Sequence, residues 1–333
     1  MNIGMIVFTA RGFDLGERLC AALEGAGHHV LLNRCANGAL DHWTKSRFAT
    51  DDALVFVGAA GIAVRAIAPY IKSKTSDPAV LVLDETGRFV IPILSGHIGG
   101  ANDLARTIGA LYGAIPVITT ATDCSGVFAV DAWASRKQMC ILNPERIKWI
   151  SARLLAGEKI AFRSLFPIKG KLPEGFSEDK KNYDIAITIK TKGSHAALRL
   201  VPPVLTLGVG CRRGVSAEDL DRAFDMILKK SSFYEEAVCQ VCSIDLKAEE
   251  AGLLSFCRSR NLPFRTFSAL ALADVQGSFT ASEFVRKTTG VDNVCERSAV
   301  LGSGGTLLTK KDAGNGITMA FAVAPYTVRF LEE

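Results

Sequence analysis

The feature of this 333-residue chain that most restricts its fold is an alternation of short aliphatic runs with amphipathic segments. A run at 3–8 precedes Leu15, Leu19 and Leu23 at helical spacing, and a second run follows at 30–32. The alternation continues with strands predicted at 54–57, 80–83, 89–93 and 115–118 and helices predicted at 63–70 and 101–112. Strands that alternate with helices predict an α/β fold with a doubly wound, mainly parallel sheet.

The alternation weakens after residue 123, and the segment 167–182 is rich in Lys, Gly, Pro and Glu. It resumes after Pro202 and Pro203, with strands predicted at 204–209, 238–244 and 264–267 and helices at 217–229 and 248–260. Because paired prolines interrupt regular structure, we expect a domain boundary there. The sequence therefore predicts an N-terminal α/β domain at 1–123, a small middle α/β unit at 124–202 and a second α/β domain at 203–333.

Composition excludes several classes of protein. Hydrophobic residues make up 48% and charged residues 22% of the chain, which is typical of globular domains. The longest apolar stretch, 53–64, contains Gly58 and Gly61 and is well short of the roughly 20 residues that a membrane helix needs. Nine irregularly spaced cysteines favour a reducing compartment, so we expect a cytoplasmic protein without a membrane span. The net charge of +5 is dispersed, which permits an anionic small molecule and does not indicate nucleic acid.

Three Gly-rich segments follow predicted strands, and we expect their backbone N–H groups to point together at an anion. In the first segment, 57–65, Gly58 and Gly61 permit close backbone approach, and Arg65 follows one helical turn later. A substrate carboxylate or phosphate would fit there. The alternative is tight strand–helix packing with Arg65 as a surface charge.

The second segment, 94–103, contains His97 between glycines. Imidazole suits proton transfer near neutral pH, so His97 is our candidate general base. Asn102 and Asp103 are expected in the first turn of the next helix, where either could orient His97. The alternative is that they only cap that helix. Ser95, Gly99 and Gly100 of the same segment are candidate substrate-binding residues.

The third segment, 207–216, places Arg212 and Arg213 before a predicted helix, and guanidinium groups suit substrate carboxylates. Ser216 is explained as the N-cap of that helix. Cys211 is better explained as a core residue than as a nucleophile, because no partner base is evident.

Other signals are weaker. Asp84 and Glu85 are second-choice acids or bases, or else hairpin-turn residues before Gly87. Ser303 and Gly304 lie in a predicted flexible turn that could approach a ligand or only precede a strand at Leu307.

Two further patterns are better explained by structure than by chemistry. Asp123 is interpreted as a turn or cap residue more than as a catalytic acid. Cys239 and Cys242 have zinc-like spacing but no second pair, so no metal site is predicted.

In combination these segments resemble the CbiG family of cobalamin-biosynthesis proteins over essentially the whole chain. The similar motifs are 57–69, 77–80, 83–85, 95–105, 118–123, 207–214, 243–247, 249–254, 290–296 and 301–305. The resemblance implies three regions, an anaerobic, cobalt-early pathway, and hydrolysis of cobalt-precorrin-5A to cobalt-precorrin-5B with release of acetaldehyde. It also implies a polyanionic cobalt-corrinoid substrate. Since cobalt is carried within that substrate, we expect no metal ligands and no cofactor in the protein.

On this basis we expect His97, oriented by Asp103 or Asn102, to activate water for attack on the lactone carbonyl while loop N–H groups stabilise the oxyanion. The rate should then fall at acid pH, and His97→Ala should fold normally. A non-catalytic tetrapyrrole-binding or hand-over protein is the main alternative, and a dinucleotide oxidoreductase is a weaker one because the glycine fingerprint is incomplete. Besides the anionic cobalt-corrinoid intermediate, the expected partners are a second copy of the chain in a homodimer or neighbouring pathway enzymes in transient contact, and neither nucleic acid nor a membrane is expected.

Overall fold

A computed structural model of the chain describes residues 1–73, 76–193 and 195–330. The chain divides into two compact units. The first contains Met1–Arg136 and Ile147–Glu158, and the second contains Lys137–Arg146 and the chain from Lys159 onward. In the described ranges, no helix is both long enough and apolar enough to cross a membrane.

The first unit is built on one six-stranded sheet. Its strands are β1 (Asn2–Val7), β2 (His29–Arg34), β3 (Ala53–Val57), β4 (Ala79–Leu83), β5 (Phe89–Leu94) and β6 (Ile115–Pro116). Its helices are α1 (Ala10–Gly25), α2 (Leu40–Thr50), α3 (Ala60–Ile67), α4 (Ala101–Tyr112), α5 (Ala121–Cys124), α6 (Val130–Arg136) and α7 (Ile147–Leu155). The strand order is β2-β1-β3-β4-β5-β6.

Helices cover both faces of this sheet, as the continuous apolar runs of its strands require. Strands β3 and β4 are buried along their whole length. On one face α1 and α4 contribute Leu19 and Ile108 to the core, and on the other face α3 contributes Ile67 while Trp43 of α2 packs at the margin. Burial on both faces is what distinguishes a doubly wound sheet from a half-exposed one. The predicted fold class is confirmed.

Polarity reverses within this sheet. Strands β1 to β4 are parallel, but β5 pairs antiparallel with β4, with Val80 opposite Leu94 and Leu83 opposite Val90. The segment after β5 therefore lies at the edge where β4 begins, whereas Gly58 follows β3 at the edge where β4 ends. The expectation that the first two Gly-rich segments point together is wrong, because a hairpin and not a crossover joins β4 to β5.

The second unit contains two sheets. Its strands are β7 (Cys140–Ile141), β8 (Ile160–Ser164), β9 (Phe176–Glu178), β10 (Ile185–Ile187), β11 (Leu198–Val201), β12 (Leu205–Cys211), β13 (Val238–Ile244), β14 (Phe264–Phe267), β15 (Thr306–Leu307), β16 (Asp312–Gly314) and β17 (Ile317–Val323). Its helices are α8 (Ala217–Ser231), α9 (Ala251–Ser259), α10 (Ala269–Ala273), α11 (Glu283–Thr289) and α12 (Cys295–Ser303).

One sheet has the order β7-β11-β10-β8-β9, and the other has the order β14-β13-β12-β17-β15 with β16 paired to β17. Thus β11 and β12, on either side of Pro202 and Pro203, belong to different sheets. The predicted boundaries at 123 and 202 stay predictions, since the division into compact units groups both of these sheets together.

The third Gly-rich segment is largely strand. Gly208 and Gly210 lie inside β12, where alternate residues face opposite sides of the sheet. Leu207 and Val209 point into the core formed with α8 and α9. Gly208 faces α12, and a Cβ on it would lie 1.8 Å from the carbonyl oxygen of Cys295. The anion-binding interpretation of these glycines is wrong, because Gly208 permits close helix–strand packing and a Cβ on Gly210 would lie 2.6 Å from the hydroxyl of Thr318 in β17.

The segment before β15 also differs from its prediction. Leu301 to Ser303 form the last turn of α12, and Gly304 ends the helix in the left-handed region with φ of 59°. The predicted flexible turn is therefore a helix terminus. Ser303 Oγ donates to the carbonyl of Val300 and accepts from the N–H of Gly305, which closes that terminus.

Candidate active site

His97 lies in a tight loop between β5 and α4. Ser95 adopts a left-handed φ of 54°, and Gly100, at 83°, precedes the first residue of α4. A Cβ on Gly99 would lie 2.4 Å from the Cβ of Ser95, so the loop cannot close in this way without glycine there. The loop then holds His97 with only 13% of its side chain exposed.

Both imidazole nitrogens of His97 contact carboxylates. Nδ1 lies 3.1 Å from Oδ2 of Asp131, and Nε2 lies 2.8 Å from Oδ2 of Asp123. The hydroxyl of Thr122 is 3.3 Å from Nε2. A nitrogen that faces a carboxylate oxygen must carry a proton, so this geometry favours the imidazolium. The hydrogen bond to Asp131 raises the pKa of His97 above its ordinary value, outweighing the lowering by burial, and Asp123 adds to the rise.

Asp123 is held by three side chains. The Nδ2 of Asn102 donates to its Oδ2 at 2.9 Å, and a guanidinium nitrogen of Arg106 donates to its Oδ1. Burial favours the neutral acid, but the hydrogen bonds from His97 and Arg106 lower the pKa of Asp123 below its ordinary value. Asp123 therefore stays ionised beside the imidazolium. Its interpretation as a turn or cap residue is wrong, since its carboxylate contacts His97 and Thr120 precedes α5 without a side-chain cap.

Asp131 lies in the first turn of α6 and is 8% exposed. One oxygen accepts from His97, and within the described ranges no donor reaches its other oxygen, Oδ1. Its charge is thus balanced by His97 more than by any other described side chain.

The structure does not bring Asp103 to His97. Its carboxylate pairs with Arg106 at 2.9 Å and with Arg136 at 3.3 Å, and it is 43% exposed. Asn102 contacts Asp123 and, at 3.0 Å, the hydroxyl of Thr120, so it acts on the histidine only through Asp123. The expectation that Asp103 orients the imidazole is wrong, because the exposed Asp103 carboxylate pairs with the two arginines, whereas Asn102 holds the Asp123 that contacts His97.

Asp84 belongs to the β4–β5 hairpin. Its carboxylate accepts from the N–H groups of Thr86 and Phe89, and Gly87 donates its N–H to the carbonyl of Asp84. Burial opposes ionisation, but the hydrogen bonds that the carboxylate accepts from the hydroxyl of Thr86 and from the N–H groups of Phe89 and Thr86 lower the pKa of Asp84 below its ordinary value. The adjacent Glu85 accepts from Thr9 Oγ1 at 2.9 Å. Asp84 and Glu85 are therefore hairpin-turn residues, the second of the two interpretations from sequence.

The remaining predicted binding residues lie elsewhere. Arg65 donates to the carbonyl of Gly61, in its own helix, at 3.2 Å, and that helix begins at the edge of the sheet opposite the His97 loop. In the second unit, Arg212 and Arg213 are exposed in the turn between β12 and α8, and Ser216 caps α8 as predicted by accepting from Asp219 N. The structure therefore groups His97, Asn102 and the loop around Ser95, and leaves Arg65 apart from them.

Sequence reasoning missed Asp131, Arg106 and Arg136. Asp131 is 34 residues from His97 in the chain, and no spacing rule links a loop histidine to an acid so far away. The local sequence shows only that Asp131 is an acid that precedes apolar residues around Trp133. An acid in that position is equally typical of an ordinary helix start.

In the part of the chain that the structure describes, no group of three or more His, Cys, Asp or Glu residues is arranged to hold a metal ion. Cys239 and Cys242 lie in β13 as predicted.

Comparison with known proteins agrees with the sequence motifs. The family models described as cobalamin synthesis G N-terminal and cobalamin synthesis G C-terminus match residues 42–123 and 205–322. The cobalt-precorrin-5A hydrolase of Salmonella typhimurium is 34% identical over 97% of this chain and 98% of its own. The cobalt-precorrin-5A hydrolase of Priestia megaterium is 32% identical over 87% of this chain and 83% of its own. The probable cobalt-precorrin-5A hydrolase of Methanocaldococcus jannaschii is 25% identical over 97% and 99%.

An α/β protein of cobalamin biosynthesis is the class that these matches define. The chain belongs to the CbiG family. His97 and Asp123 lie inside the range of the N-terminal model, and Asp131 lies beyond it.

Proposed function

We propose that this chain is a cobalt-precorrin-5A hydrolase, which opens the lactone of cobalt-precorrin-5A and releases acetaldehyde to give cobalt-precorrin-5B. Two relatives of that name, at 34% and 32% identity over most of both chains, support the assignment. The single structural observation that carries the chemistry is the contact of 2.8 Å between His97 Nε2 and the Asp123 carboxylate.

Lactone opening needs a proton acceptor for the attacking water and a proton donor for the departing ring oxygen. In the proposed step Asp123 accepts a proton from a water molecule. The oxygen of that water forms a bond to the lactone carbonyl carbon at the same time. His97 donates its Nε2 proton to the ring oxygen as the acyl carbon–oxygen bond breaks. Asp123 then returns a proton to Nε2, which restores both groups and leaves a carboxylic acid and a hydroxyl on the substrate.

The second step cleaves a carbon–carbon bond. The new hydroxyl loses its proton, its oxygen becomes the carbonyl of acetaldehyde, and the electron pair of the broken bond passes into the macrocycle, whose carbon takes up a proton. The cobalt-bearing ring of the substrate is the electron sink, so the protein needs only to position and exchange protons. We propose that no resident cofactor takes part.

Arginines near the histidine suit the acidic arms of such a substrate. Arg106 and Arg136 are about half exposed beside Asp103 and Asp123, so they can reach a second carboxylate. Arg212 and Arg213 stay candidates for substrate carboxylates in the second unit. A cytoplasmic location, and a homodimer or transient contact with neighbouring pathway enzymes, also stay predictions.

The test is acetaldehyde release from cobalt-precorrin-5A by the purified protein, together with the matching mass change of the corrinoid. Asp123→Asn should retain substrate binding and lose about 10²- to 10⁴-fold in kcat, the range of general acid–base catalysis. Glu85→Gln, at the opposite sheet edge, is the control and should keep the wild-type rate. Tight binding of substrate without acetaldehyde from the wild type would establish the hand-over alternative instead.

A further inference from the structure

We infer that Asp131 is the positioning residue of His97, holding Nδ1 protonated so that Nε2 faces the reaction. The inference rests on the proposed function for its catalytic part. Nothing in the sequence motifs or in the matched family ranges includes Asp131, since the N-terminal match ends at Asp123.

The two carboxylates around the imidazole are not equivalent. Asp123 also accepts from Asn102 and Arg106, and its side chain is 17% exposed. Asp131 is the more buried acid, and His97 is its hydrogen-bond partner in the described structure, at 3.1 Å. The more exposed Asp123 can reach water and substrate, whereas the more buried Asp131 acts through the imidazole that it holds.

This difference between the two acids determines which imidazole nitrogen of His97 keeps its proton. Because Asp131 accepts from Nδ1, that nitrogen keeps its proton in both charge states of the imidazole. Proton exchange is then confined to Nε2, beside Asp123 and the Thr122 hydroxyl. Asp131 also favours the imidazolium, the state in which His97 is a proton donor.

Asp131→Asn tests the inference, because asparagine keeps the shape and a hydrogen-bond acceptor but removes the charge. An opposite charge at hydrogen-bonding distance shifts a pKa by about 1 to 3 units, so the pKa of His97 should fall by at least about 1 unit. As a proton donor His97 is active below its pKa, so the alkaline limb of the kcat profile should move to lower pH by the same amount. KM should change little. Asp14→Asn, which removes an exposed charge of α1 that does not contact His97, should leave the pKa of His97 and the alkaline limb in place.

Histidine ring resonances of labelled protein give the pKa without substrate, and His97→Gln identifies the His97 signal among the five histidines. In the wild type above the pKa, the nitrogen shifts should show the tautomer protonated at Nδ1. An Nε2-protonated tautomer, or an unchanged pKa in Asp131→Asn, overturns the inference, and the wild-type tautomer decides it even if that variant does not fold.

An altered pKa with an unmoved kcat profile also overturns it. Absence of acetaldehyde from the wild type would instead refute the proposed function, while the ring resonances still report on the His97–Asp131 pair.

Discussion

At the scale of single residues, His97 is a better-integrated side chain than its glycine neighbours indicate. A glycine-bracketed histidine looks dispensable for folding, yet this one is largely buried and balances the charge of a buried acid. The direction of its pH dependence also changes. A general base loses activity at acid pH, but a residue held as the imidazolium by two carboxylates loses activity as pH rises through its raised pKa.

His97→Ala should therefore destabilise the protein, contrary to the expectation from sequence. Removing one partner of a buried ion pair costs about 3 kcal/mol or more, because the other charge stays uncompensated. The free energy of unfolding from urea titration at pH 6 should fall by that order, and His97→Ala/Asp131→Asn should recover part of it. Because the pKa of His97 is raised in the folded protein, the ion pair stabilises the fold fully below pH 6.5, the ordinary pKa of histidine. This stabilisation is lost as pH rises through the pKa of His97 in the folded protein. An equal loss at pH 6 and pH 10 would contradict this account.

At the scale of elements, glycine positions carry two different meanings that sequence alone does not separate. Gly100 and Gly304 supply left-handed turns at helix ends. Gly208 instead lies within a strand, and its lack of a side chain allows α12 to pack closely on β12. A glycine after an apolar run is typical of both, and only the position of the distant helix decides between them.

Gly208→Ala should thus weaken folding without touching any charged residue. A methyl group 1.8 Å from a backbone oxygen forces the helix away, and such overpacking costs typically about 1 to 3 kcal/mol, occasionally more. Gly314→Ala is the matched control, because a Cβ on this β16 glycine meets no atom within 4 Å. Thermal or urea denaturation compares the two. Equal stability of both variants would show that α12 is not packed on β12 in this way.

At the scale of the whole molecule, sequence predicted what local periodicity determines. The bounds of α4, β13 and β14 match their predictions, because each is a run of apolar periodicity with Gly113, Asp245 or Pro263 next to one of its ends. The short helices α5, α6 and α7 were missed, since four to nine residues carry too little periodicity. The carboxylates that contact His97 come from α5 and α6, so the failure to predict these two helices also explains the failure to predict this pair of acids. Arg106 has a different cause, because it lies in the correctly predicted α4.

The reversal of β5 was within reach of the sequence. Only five residues join β4 to β5, whereas a parallel connection needs a dozen or more. Treating Asp84 as a hairpin residue already required an antiparallel pair, and hence opposite edges for the first two Gly-rich segments.

That single antiparallel pairing also places the start of α3, the helix of Arg65, and the His97 loop at opposite edges of the first sheet, so we expect mutational effects at the two places to be independent. Five residues of strand separate them by roughly 17 Å, beyond the 7–10 Å or so within which mutational effects usually couple. The free-energy losses in kcat/KM caused by Arg65→Ala and by Asp123→Asn should therefore add to within about 0.5 kcal/mol in the double variant. A larger coupling energy in that cycle would mean that one bound substrate reaches around the sheet to both edges at once.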